Sequence, residues 1–338
     1  MTVIDPIGVA VIGLGIGEQH VRAYEADPRS RVRWLHDLDQ DRARALAGSL
    51  PGARVASGLD EILSDPEVGV VSIASFDQDH FGQVLAALDA GKHVFVEKPL
   101  CRTQDELAQV KLRWMRDGGR LKLGSNLILR AAPLYRWLKA VIESGDFGRI
   151  YAIDGDYLYG RLHKITGGWR GAVDDYSVML GGGVHMIDLM LWLTGERPSE
   201  VRCVGNRICT EGTSFGEDDF QAATMRFDSG LVGRITANFG CVHRHHHVLR
   251  VFGTRASLIY DDAGARIHRS RDPMVEAERV NESALPARKG DLIPGFLDAV
   301  FGEQGYERHT QSILDGIAVC LASDRSARTG MVEKVEYV

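Results

Sequence analysis

The feature that most constrains the fold of this chain is an apolar strand that leads directly into a glycine turn near the amino terminus. Ile7–Ile12 is a continuous β-rich run, residues 13–17 read GLGIG, and a helical pattern starts at about Gln19. A glycine turn between a strand and a helix offers backbone N–H groups and a helix N-terminus to a pyrophosphate. We therefore predict a dinucleotide-binding turn. Its predicted cofactor-binding residues are Gly13, Gly15, Ile16 and Gly17.

The spacing of these glycines departs from the usual G-x-G-x-x-G, since Glu18 occupies the place of the last glycine. The second strand, Val32–Leu35, is followed by Asp37, about 20 residues after the turn, where an acid accepts hydrogen bonds from the adenosine ribose. Its charge would repel a 2′-phosphate, which favours NAD over NADP as the cofactor. The alternative is that Asp37 caps the helix predicted over Asp39–Leu46.

Strands and short helices continue to alternate through the first 125 residues. Such alternation predicts a parallel, doubly wound α/β sheet. Ser75 and His80 follow one of these strands and are expected at the nicotinamide side of the cofactor, although His80 could instead be a packed or capping histidine. The predicted strands are Val68–Ala74, His93–Val96 and Leu121–Gly124, and the predicted helices are Leu59–Leu63, Asp79–Asp89 and Gln104–Met115.

The stretch Gly91–Leu100 (GKHVFVEKPL) places an acid, a base and a proline at the carboxyl end of a buried strand. Ligands bind at this edge in open parallel sheets. Lys98 is therefore a candidate catalytic group, with Glu97 beside it and Pro99 stiffening the turn, and all three are expected near the cofactor. Asn126, at the exit of the next strand, is a supporting residue. The alternative is a solvated Glu-Lys pair at a strand end.

From Ile150 the chain changes to short alternating strands separated by turn signals, which predicts a mainly antiparallel sheet with one covered face. We place residues 1–125 in a cofactor domain and residues 126–338 in an α+β substrate domain. Its predicted strands are Ile150–Tyr159, Val201–Cys209, Gln221–Phe227, Leu231–Phe239, Val248–Phe252, Ser257–Tyr260 and Val335–Val338, and its predicted helices are Leu134–Glu143, Leu292–Phe301 and Thr310–Ala322.

The segment Gly181–Asp188 (GGGVHMID) leads into an apolar helix that Gly195 ends. His185 falls in the predicted first turn, where the positive helix end disfavours protonation and helps the imidazole to act as a base. Asp188 lies three residues later on the same helical face, where it could orient the ring or bind a sugar hydroxyl. The alternative is a buried histidine that caps its own helix.

These features resemble the Gfo/Idh/MocA dehydrogenases (glucose–fructose oxidoreductase, inositol dehydrogenase and rhizopine catabolism proteins) over nearly the whole chain. The resemblance rests on the glycine turn, on GKHVFVEKPL and on GGGVHMIDLMLWLTG. It implies an N-terminal Rossmann domain and a C-terminal open-faced sheet, with helices on one face. The other face would pack on a second subunit of a homodimer or homotetramer, with the active site in the cleft between the domains. It further implies that Lys98 contacts the reacting hydroxyl and the nicotinamide ribose, next to a close, cis turn at Pro99.

One position departs from the family pattern. Many relatives carry an acid four residues before the histidine, and here that position is Gly181. Asp174, Asp175 or Tyr176 from the preceding loop could take the place of the acid, and the sequence leaves all three open.

The segment Tyr157–Arg170 (YLYGRLHKITGGWR) is basic and aromatic, and it leads towards the predicted histidine helix. Aromatic faces stack on sugars or bases and arginines bind phosphates, which suits a polar or anionic substrate. A mixed surface loop is an equal alternative. The residues assigned to the substrate are Arg161, Lys164, Trp169 and Arg170.

The histidine run His243–His247 resembles a metal site at first sight. On a strand, however, His245 and His247 face one way and His246 the other, and no acid or cysteine completes a ligand set. We therefore predict no metal, and expect these residues to line an interface or the substrate cleft.

The composition narrows the function classes. The 338 residues are enough for two domains, and a formal charge of −6 argues against a nucleic-acid or membrane-surface binder. The amino terminus lacks the basic region of a signal peptide, and no apolar run approaches a membrane span. Five scattered cysteines fit reduced thiols, so we expect a cytoplasmic protein.

Together these residues predict an NAD-dependent dehydrogenase that acts on a secondary alcohol of a sugar, a cyclic polyol or a sugar nucleotide such as a UDP-sugar. His185 would accept the hydroxyl proton, and Lys98 would position the oxygen. Two other functions stay open. Gly181 is compatible with a non-catalytic NAD-binding sensor or assembly protein, and a tightly held cofactor could serve internal redox in a glycosidase-like or epimerase-like reaction.

Overall fold

The structure of the chain is a computed structural model that describes residues 5–116, 118–302 and 304–338. They divide into two compact units. The first contains the chain up to Ile128 together with Pro286–Leu314 and Val338, and the second contains Leu129–Leu285 and Asp315–Tyr337. The division lies close to the predicted boundary after residue 125. The return of residues 286–314 to the first unit differs from the prediction, because it depends on packing between segments that are distant in sequence.

The helices and strands mostly follow the apolar periodicities of the sequence. The strands are β1 (Ile7–Ile12), β2 (Ser30–His36), β3 (Arg54–Val55), β4 (Val68–Ile73), β5 (His93–Val96), β6 (Leu123–Ser125), β7 (Ile150–Leu158), β8 (Pro198–Asn206), β9 (Phe220–Phe227), β10 (Val232–Asn238), β11 (His246–Gly253), β12 (Ser257–Asp261), β13 (Gly264–His268), β14 (Glu278–Val280) and β15 (Glu333–Lys334). The α-helices are α1 (Gly17–Glu25), α2 (Gln40–Ala47), α3 (Leu59–Ser64), α4 (His80–Asp89), α5 (Gln104–Met115), α6 (Pro133–Glu143), α7 (His163–Thr166), α8 (Val184–Thr194), α9 (Ile293–Val300) and α10 (Tyr306–Thr329).

The first unit is built on a six-stranded parallel sheet in the order β3-β2-β1-β4-β5-β6. The order reverses between β1 and β4, and in doubly wound sheets ligands bind at the carboxyl ends of the strands at such a reversal. The predicted Rossmann arrangement is therefore confirmed for this unit. It places the glycine turn after β1 and the Glu97-Lys98-Pro99 turn after β5 at the same edge of the sheet.

The helix α9 explains why residues 286–314 belong to the first unit. Its Ile293, Phe296 and Leu297 are fully buried in one core with Val9 of β1 and Phe95 of β5. The Phe95 and Phe296 ring centroids lie 5.4 Å apart. Each large apolar side chain that is removed from water contributes on the order of 2 kcal/mol, so this return segment is part of the core of the unit.

The second unit contains a nine-stranded sheet in the order β14-β13-β12-β11-β7-β10-β9-β8-β15. Its pairings are antiparallel except for β7 with β10, which run parallel. The mainly antiparallel sheet that the sequence predicts is thus confirmed. The helix α8 packs on β7 and β10, and α6 packs on α8.

The carboxyl terminus differs from the prediction. The predicted strand Val335–Val338 is wrong, since the last strand, β15, ends at Lys334 and pairs with β8 over two residues. The Val335 N–H still donates to Ser199 O at 3.1 Å, but the ladder ends there. Among the described residues no helix combines the length and the apolar character needed to cross a bilayer.

Candidate active site

The glycine turn of the first unit has the backbone geometry that the fingerprint requires. Gly13 has φ +80°, and a Cβ there would lie 2.6 Å from the Ser75 nitrogen, so the turn needs glycine at this position. The Gly13 N–H donates to His36 O at 2.8 Å, which ties the turn to the end of β2. A Cβ at Gly15 would meet no atom within 4 Å, so this side of the turn is open.

Asp37 is hydrogen-bonded to the backbone of the glycine turn. Its Oδ2 accepts from the Leu14 N–H at 2.6 Å, and its Oδ1 accepts from the Asp39 N–H at 2.8 Å. The helix α2 is capped by Asp39, whose side chain accepts from the Arg42 N–H. The alternative that Asp37 caps this helix is therefore wrong. A carboxylate offers about four acceptor positions, so two remain for ribose hydroxyls.

Ser75 and His80 lie where β4 leads into α4. The Ser75 hydroxyl donates to Gln83 Oε1 at 2.7 Å. His80 is fully buried, and its Nδ1 and Nε2 lie 2.7 Å from Pro99 O and 3.2 Å from Ser75 O. Both ring nitrogens of His80 are directed at carbonyl oxygens, so the side chain links two turns at this edge of the sheet. This favours the alternative that His80 is a packed histidine rather than a residue that contacts the cofactor.

Glu97 and Lys98 lie at the carboxyl end of β5. Glu97 Oε1 accepts from Asn126 Nδ2 at 2.7 Å and lies 3.3 Å from His20 Nε2. Burial alone would raise the pKa of Glu97, but His20, the Asn126 hydrogen bond and the charge of Lys98 outweigh it and hold the pKa at about 2. Glu97 is thus an anion whose charge is favoured by the neighbouring Lys98, and the Lys98-Pro99 peptide bond is cis, as predicted.

His20 is a member of this edge that the sequence reasoning missed. It lies on α1, is fully buried, and its Nδ1 is 3.0 Å from the Ser72 hydroxyl while its Nε2 faces Glu97. A histidine on the apolar face of a helix that follows a glycine turn is a weak signal. The sheet decides the partners of this histidine, since Ser72 lies in β4 and Glu97 directly follows β5.

His185 of the second unit is the second residue of α8, as predicted, but the helix does not begin there. A π-helical turn, Met179–Gly183, precedes it, and the Val184 N–H donates to Met179 O. The helical segment therefore starts before α8, and its positive end lies about a turn earlier than predicted. The effect of that end on the protonation of His185 stays a prediction. π-turns of this kind are frequent at functional sites.

Two glycines of the sheet set the position of α8. A Cβ at Gly155 of β7 would lie 2.9 Å from Met186 Cε, and one at Gly233 of β10 would lie 2.5 Å from Met190 Sδ. The missing side chains admit these two methionines into the sheet surface, so the helix lies close against β7 and β10. His185, next to Met186 in the chain, is held through this packing.

Two aromatic rings pack on His185, one from the Tyr157–Arg170 segment and one from the histidine run. The Tyr157 ring is stacked on the imidazole, with centroids 6.0 Å apart and planes 20° apart, and the His247 ring lies edge-on at 6.4 Å. His245 packs edge-on against Tyr157, while His246 turns to Tyr260. These contacts confirm the predicted alternation of the histidine run, although only His246 and His247 belong to β11 and His245 lies just before it.

Within residues 5–116, 118–302 and 304–338, no group of three or more histidine, cysteine or acidic side chains is arranged to hold a metal.

Asp188 forms a buried ion pair with Arg130. Its Oδ2 accepts from Arg130 Nε at 2.9 Å, its Oδ1 accepts from Arg130 Nη2, and both side chains are buried. Burial raises the pKa of Asp188, although Arg130 opposes the rise. The structure therefore supports a scaffolding role for Asp188 rather than the predicted contact with the imidazole or a sugar hydroxyl.

The segment 157–172 contains α7 and a 3₁₀ turn at Trp169–Ala172 rather than an unstructured loop. The Arg161 guanidinium lies 5.6 Å from the centre of the Tyr159 ring, and that of Arg170 lies 4.4 Å from the Trp169 ring. Burial raises the pKa of Tyr157, while the charges of Arg170 and Arg161 act to lower it. Both arginines thus place positive charge near the ring that stacks on His185, whereas Lys164 is exposed on α7.

Of the three residues predicted to replace an acid at position 181, one meets that position. Tyr176 is 4% exposed and its hydroxyl lies against Gly181. Asp174 and Asp175 are exposed.

Comparison with known proteins agrees with this arrangement. A family model described as an oxidoreductase family with an NAD-binding Rossmann fold matches residues 7–125, and one described as the GFO/IDH/MocA C-terminal domain matches residues 135–259. Inositol 2-dehydrogenase from Acidothermus cellulolyticus is 31% identical over 330 residues, which cover 96% of this chain and 92% of that protein.

Two further similarities are more limited. Inositol 2-dehydrogenase 2 from Saccharopolyspora erythraea is 35% identical over 194 residues, so the match spans 56% of this chain and about half, 54%, of that relative. The solved structure of UDP-N-acetylglucosamine 3-dehydrogenase from Acidithiobacillus ferrooxidans shares the fold, with a TM-score of 0.76 at 23% identity over 95% of this chain and 98% of that one. The chain belongs to the Gfo/Idh/MocA family and is an NAD(P)-dependent dehydrogenase with an NAD-binding Rossmann domain.

Proposed function

We propose that this protein oxidises a secondary alcohol of a sugar, a cyclic polyol or a sugar nucleotide with NAD, or reduces the corresponding ketone. The observation that carries the proposal is the anionic Glu97 with Lys98 next to it in the chain, at the same sheet edge as the glycine turn and Asp37. A fixed cation at a cofactor edge is the group that an alcohol oxidation needs, because negative charge develops on the substrate oxygen.

The first unit fits a dinucleotide. Gly13, Gly15, Ile16 and Gly17 would face the pyrophosphate, because the turn is open at Gly15. Asp37 would accept from the ribose hydroxyls through its two remaining acceptor positions, and its charge selects NAD over NADP. NAD, when bound, accepts a hydride at nicotinamide C4.

Lys98 and His185 would have separate roles in the reaction. The Lys98 ammonium would bind the substrate oxygen and stabilise its developing negative charge, oriented by Glu97. The His185 imidazole would accept the hydroxyl proton as the C–H bond gives up its hydride, and would return the proton in the reverse reaction. The stacked Tyr157 ring would keep the imidazole plane fixed during this exchange.

The substrate that suits the second unit best carries an anion. Arg161 and Arg170 add positive charge beside Tyr157, and Trp169 and Tyr159 offer aromatic faces. A nucleoside diphosphate sugar has both a base that stacks and phosphates that arginines bind. We therefore rank sugar nucleotides above free sugars and inositols.

The test is hydride transfer, followed at the nicotinamide absorbance band, with UDP-sugars, free sugars and inositols under NAD and under NADP. We expect NAD-dependent turnover, with UDP-sugars at the highest kcat/KM. A His185→Ala, Lys98→Met double variant that turns over normally would contradict the assigned roles. Binding of NAD without turnover of any member of the panel would instead favour the sensor function.

We also propose that the chain assembles as a homodimer or homotetramer through the open face of its nine-stranded sheet. This face carries partly exposed ion pairs, in which Asp154 lies 3.3 Å from Arg234 and Asp156 lies 3.3 Å from Arg250. Sedimentation measurements of wild type and of an Arg234→Glu variant would test the proposal. A monomeric wild type would contradict it.

A further inference from the structure

The phenol of Tyr176 occupies the space in which residue 181 would carry a side chain. A Cβ at Gly181 would lie 2.7 Å from Tyr176 Cζ and still closer to its hydroxyl oxygen. Any residue other than glycine at 181 would therefore push this hydroxyl away. Gly181 and Tyr176 are a matched pair, in which the bare backbone admits the phenol.

The ring of Tyr176 is fixed by its neighbours. It meets Phe215 edge-on at 6.1 Å and Phe239 edge-on at 6.3 Å. Phe239 also packs on Tyr157, at 5.8 Å, and Tyr157 stacks on His185. Tyr176 and His185 thus belong to one packed aromatic cluster, so a change in the position of one ring is transmitted to the other.

Helix geometry places position 181, against which the Tyr176 hydroxyl packs, on the same side of the helix as His185. Gly181 and His185 are four residues apart in a continuous helical segment, hence on about the same side of the helix. Helical side chains tilt towards the N-terminus of their helix, so the His185 side chain leans towards the turn that contains Gly181.

The two acids of the same loop, Asp174 and Asp175, are exposed. Burial is the main cause that raises the pKa of Glu217, and the charge of Asp175 adds to the rise, so Asp175 lies near that carboxylate. Asp188 is paired with Arg130. Tyr157 of β7 and His247 of β11 pack on the His185 ring, and Tyr176 packs on Gly181, four residues before His185.

We propose that Tyr176 is a positioning residue for His185, and that its hydroxyl supplies the polar group that Gly181 does not carry. This inference rests on the proposed function, in which His185 is the base. A phenol is neutral near pH 7, so it offers a hydrogen bond without the negative charge that a carboxylate at the same place would add. The histidine of this protein is therefore oriented by a neutral partner.

The test removes the hydroxyl and keeps the ring. Tyr176→Phe is expected to lower kcat by about 10- to 100-fold, with KM for NAD and the unfolding temperature unchanged. It is also expected to shift the titration of the His185 ring, followed by NMR in the full-length protein without substrate. Tyr135→Phe is the matched control, because it removes the hydroxyl of a fully buried tyrosine that lies on α6, outside the aromatic cluster defined above.

A second pair of variants tests whether the Tyr176 phenol occupies the space that a side chain at position 181 would need. Tyr176→Ala with Gly181→Asp clears the phenol and inserts a carboxylate, which should raise the pKa of His185 by about one unit relative to Tyr176→Ala with Gly181→Asn. If Tyr176→Phe does not fold, Gly181→Ala, which displaces the hydroxyl, takes its place.

The two readouts separate the two proposals. A wild type that turns over no substrate contradicts the proposed function, and the NMR titration then still decides the role of Tyr176. A His185 titration that is the same in wild type and Tyr176→Phe overturns the role of Tyr176, whatever the activity.

Discussion

The carboxylate of Asp37 accepts a hydrogen bond of 2.6 Å from the backbone N–H of Leu14, in the centre of the glycine turn. One residue at the end of β2 therefore both shapes the turn and presents charge to the ribose site. Arg42 lies 3.9 Å from the same carboxylate and is half exposed, so a cation is already close to the place of a 2′-phosphate.

Asp37→Ala is expected to reverse the choice of cofactor. Without the carboxylate, repulsion of the 2′-phosphate disappears and Arg42 becomes available to it, so the ratio of kcat/KM for NADP to that for NAD should rise by about 10-fold or more. Asp39→Ala is the control, because it removes the cap of α2 at a cost of about 1 kcal/mol without touching the turn. An unchanged ratio in Asp37→Ala would remove Asp37 from the selection of the cofactor.

Lys98→Met is expected to lower kcat/KM by about 100-fold or more, a larger factor than the loss of NAD affinity measured by calorimetry. The reason is that the cation acts on charge that develops during the reaction. Lys139→Met, which removes a surface lysine paired with Glu143 on α6, should retain wild-type rates. Equal effects of the two substitutions would contradict the assignment.

Asp188→Ala is expected to destabilise the protein by about 3–5 kcal/mol, because it leaves the buried Arg130 without its anion. Replacing both residues, Asp188→Leu with Arg130→Met, should recover most of that stability. Urea unfolding measures both changes. If Asp188→Ala lost activity but little stability, the original prediction of a substrate contact would be favoured over the scaffolding role.

Asp324→Asn is expected to change how stability depends on pH. Burial is the main cause that raises the pKa of Asp324, which reaches about 6 despite hydrogen bonds from Ser177 and Gln221. Between pH 3.8, the ordinary value, and about 6, the unfolded chain releases this proton while the folded chain retains it. The free energy of unfolding therefore falls as the pH rises, by about 3 kcal/mol from this group.

The Asp324→Asn variant has no carboxyl group to titrate at this position, so its free energy of unfolding does not fall in this way as the pH rises. Its stability relative to wild type should improve between pH 4 and pH 7, as measured by denaturant midpoints. Asp228→Asn, in an exposed turn, serves as the control. A constant difference between Asp324→Asn and wild type across this range would contradict the raised pKa.

Much of the first unit could be predicted because its signals are local. The apolar run of β1, the glycine turn and the strand β5 with Glu97-Lys98-Pro99 each lie within about ten consecutive residues, and the boundaries of β5 and α5 match the prediction. Parallel strands are buried on both faces, so their composition identifies them without knowledge of their neighbours.

The sequence did not predict the edge strands β13 and β14 or the π-turn before α8, for a different reason. The strands β13 and β14 are short and half exposed, so their apolar pattern is weak. The π-turn before α8 is stabilised by packing on β7 and β10 rather than by residues with a helical preference, since three of its five residues are glycines.

The sequence by itself determined the type of each unit and the identity of its reactive groups, because apolar period, glycine positions and the Glu-Lys-Pro turn are properties of neighbouring residues. Tertiary structure alone decided which groups act together. His20 meets Glu97 and Asp188 meets Arg130 because folding brings segments that are distant in sequence into contact. These two contacts depend on long-range packing, which no local pattern encodes. Tyr176 and Gly181 are only five residues apart, so the sequence could name Tyr176 as a candidate, and the packing of the loop decided which of the three candidates lies against Gly181.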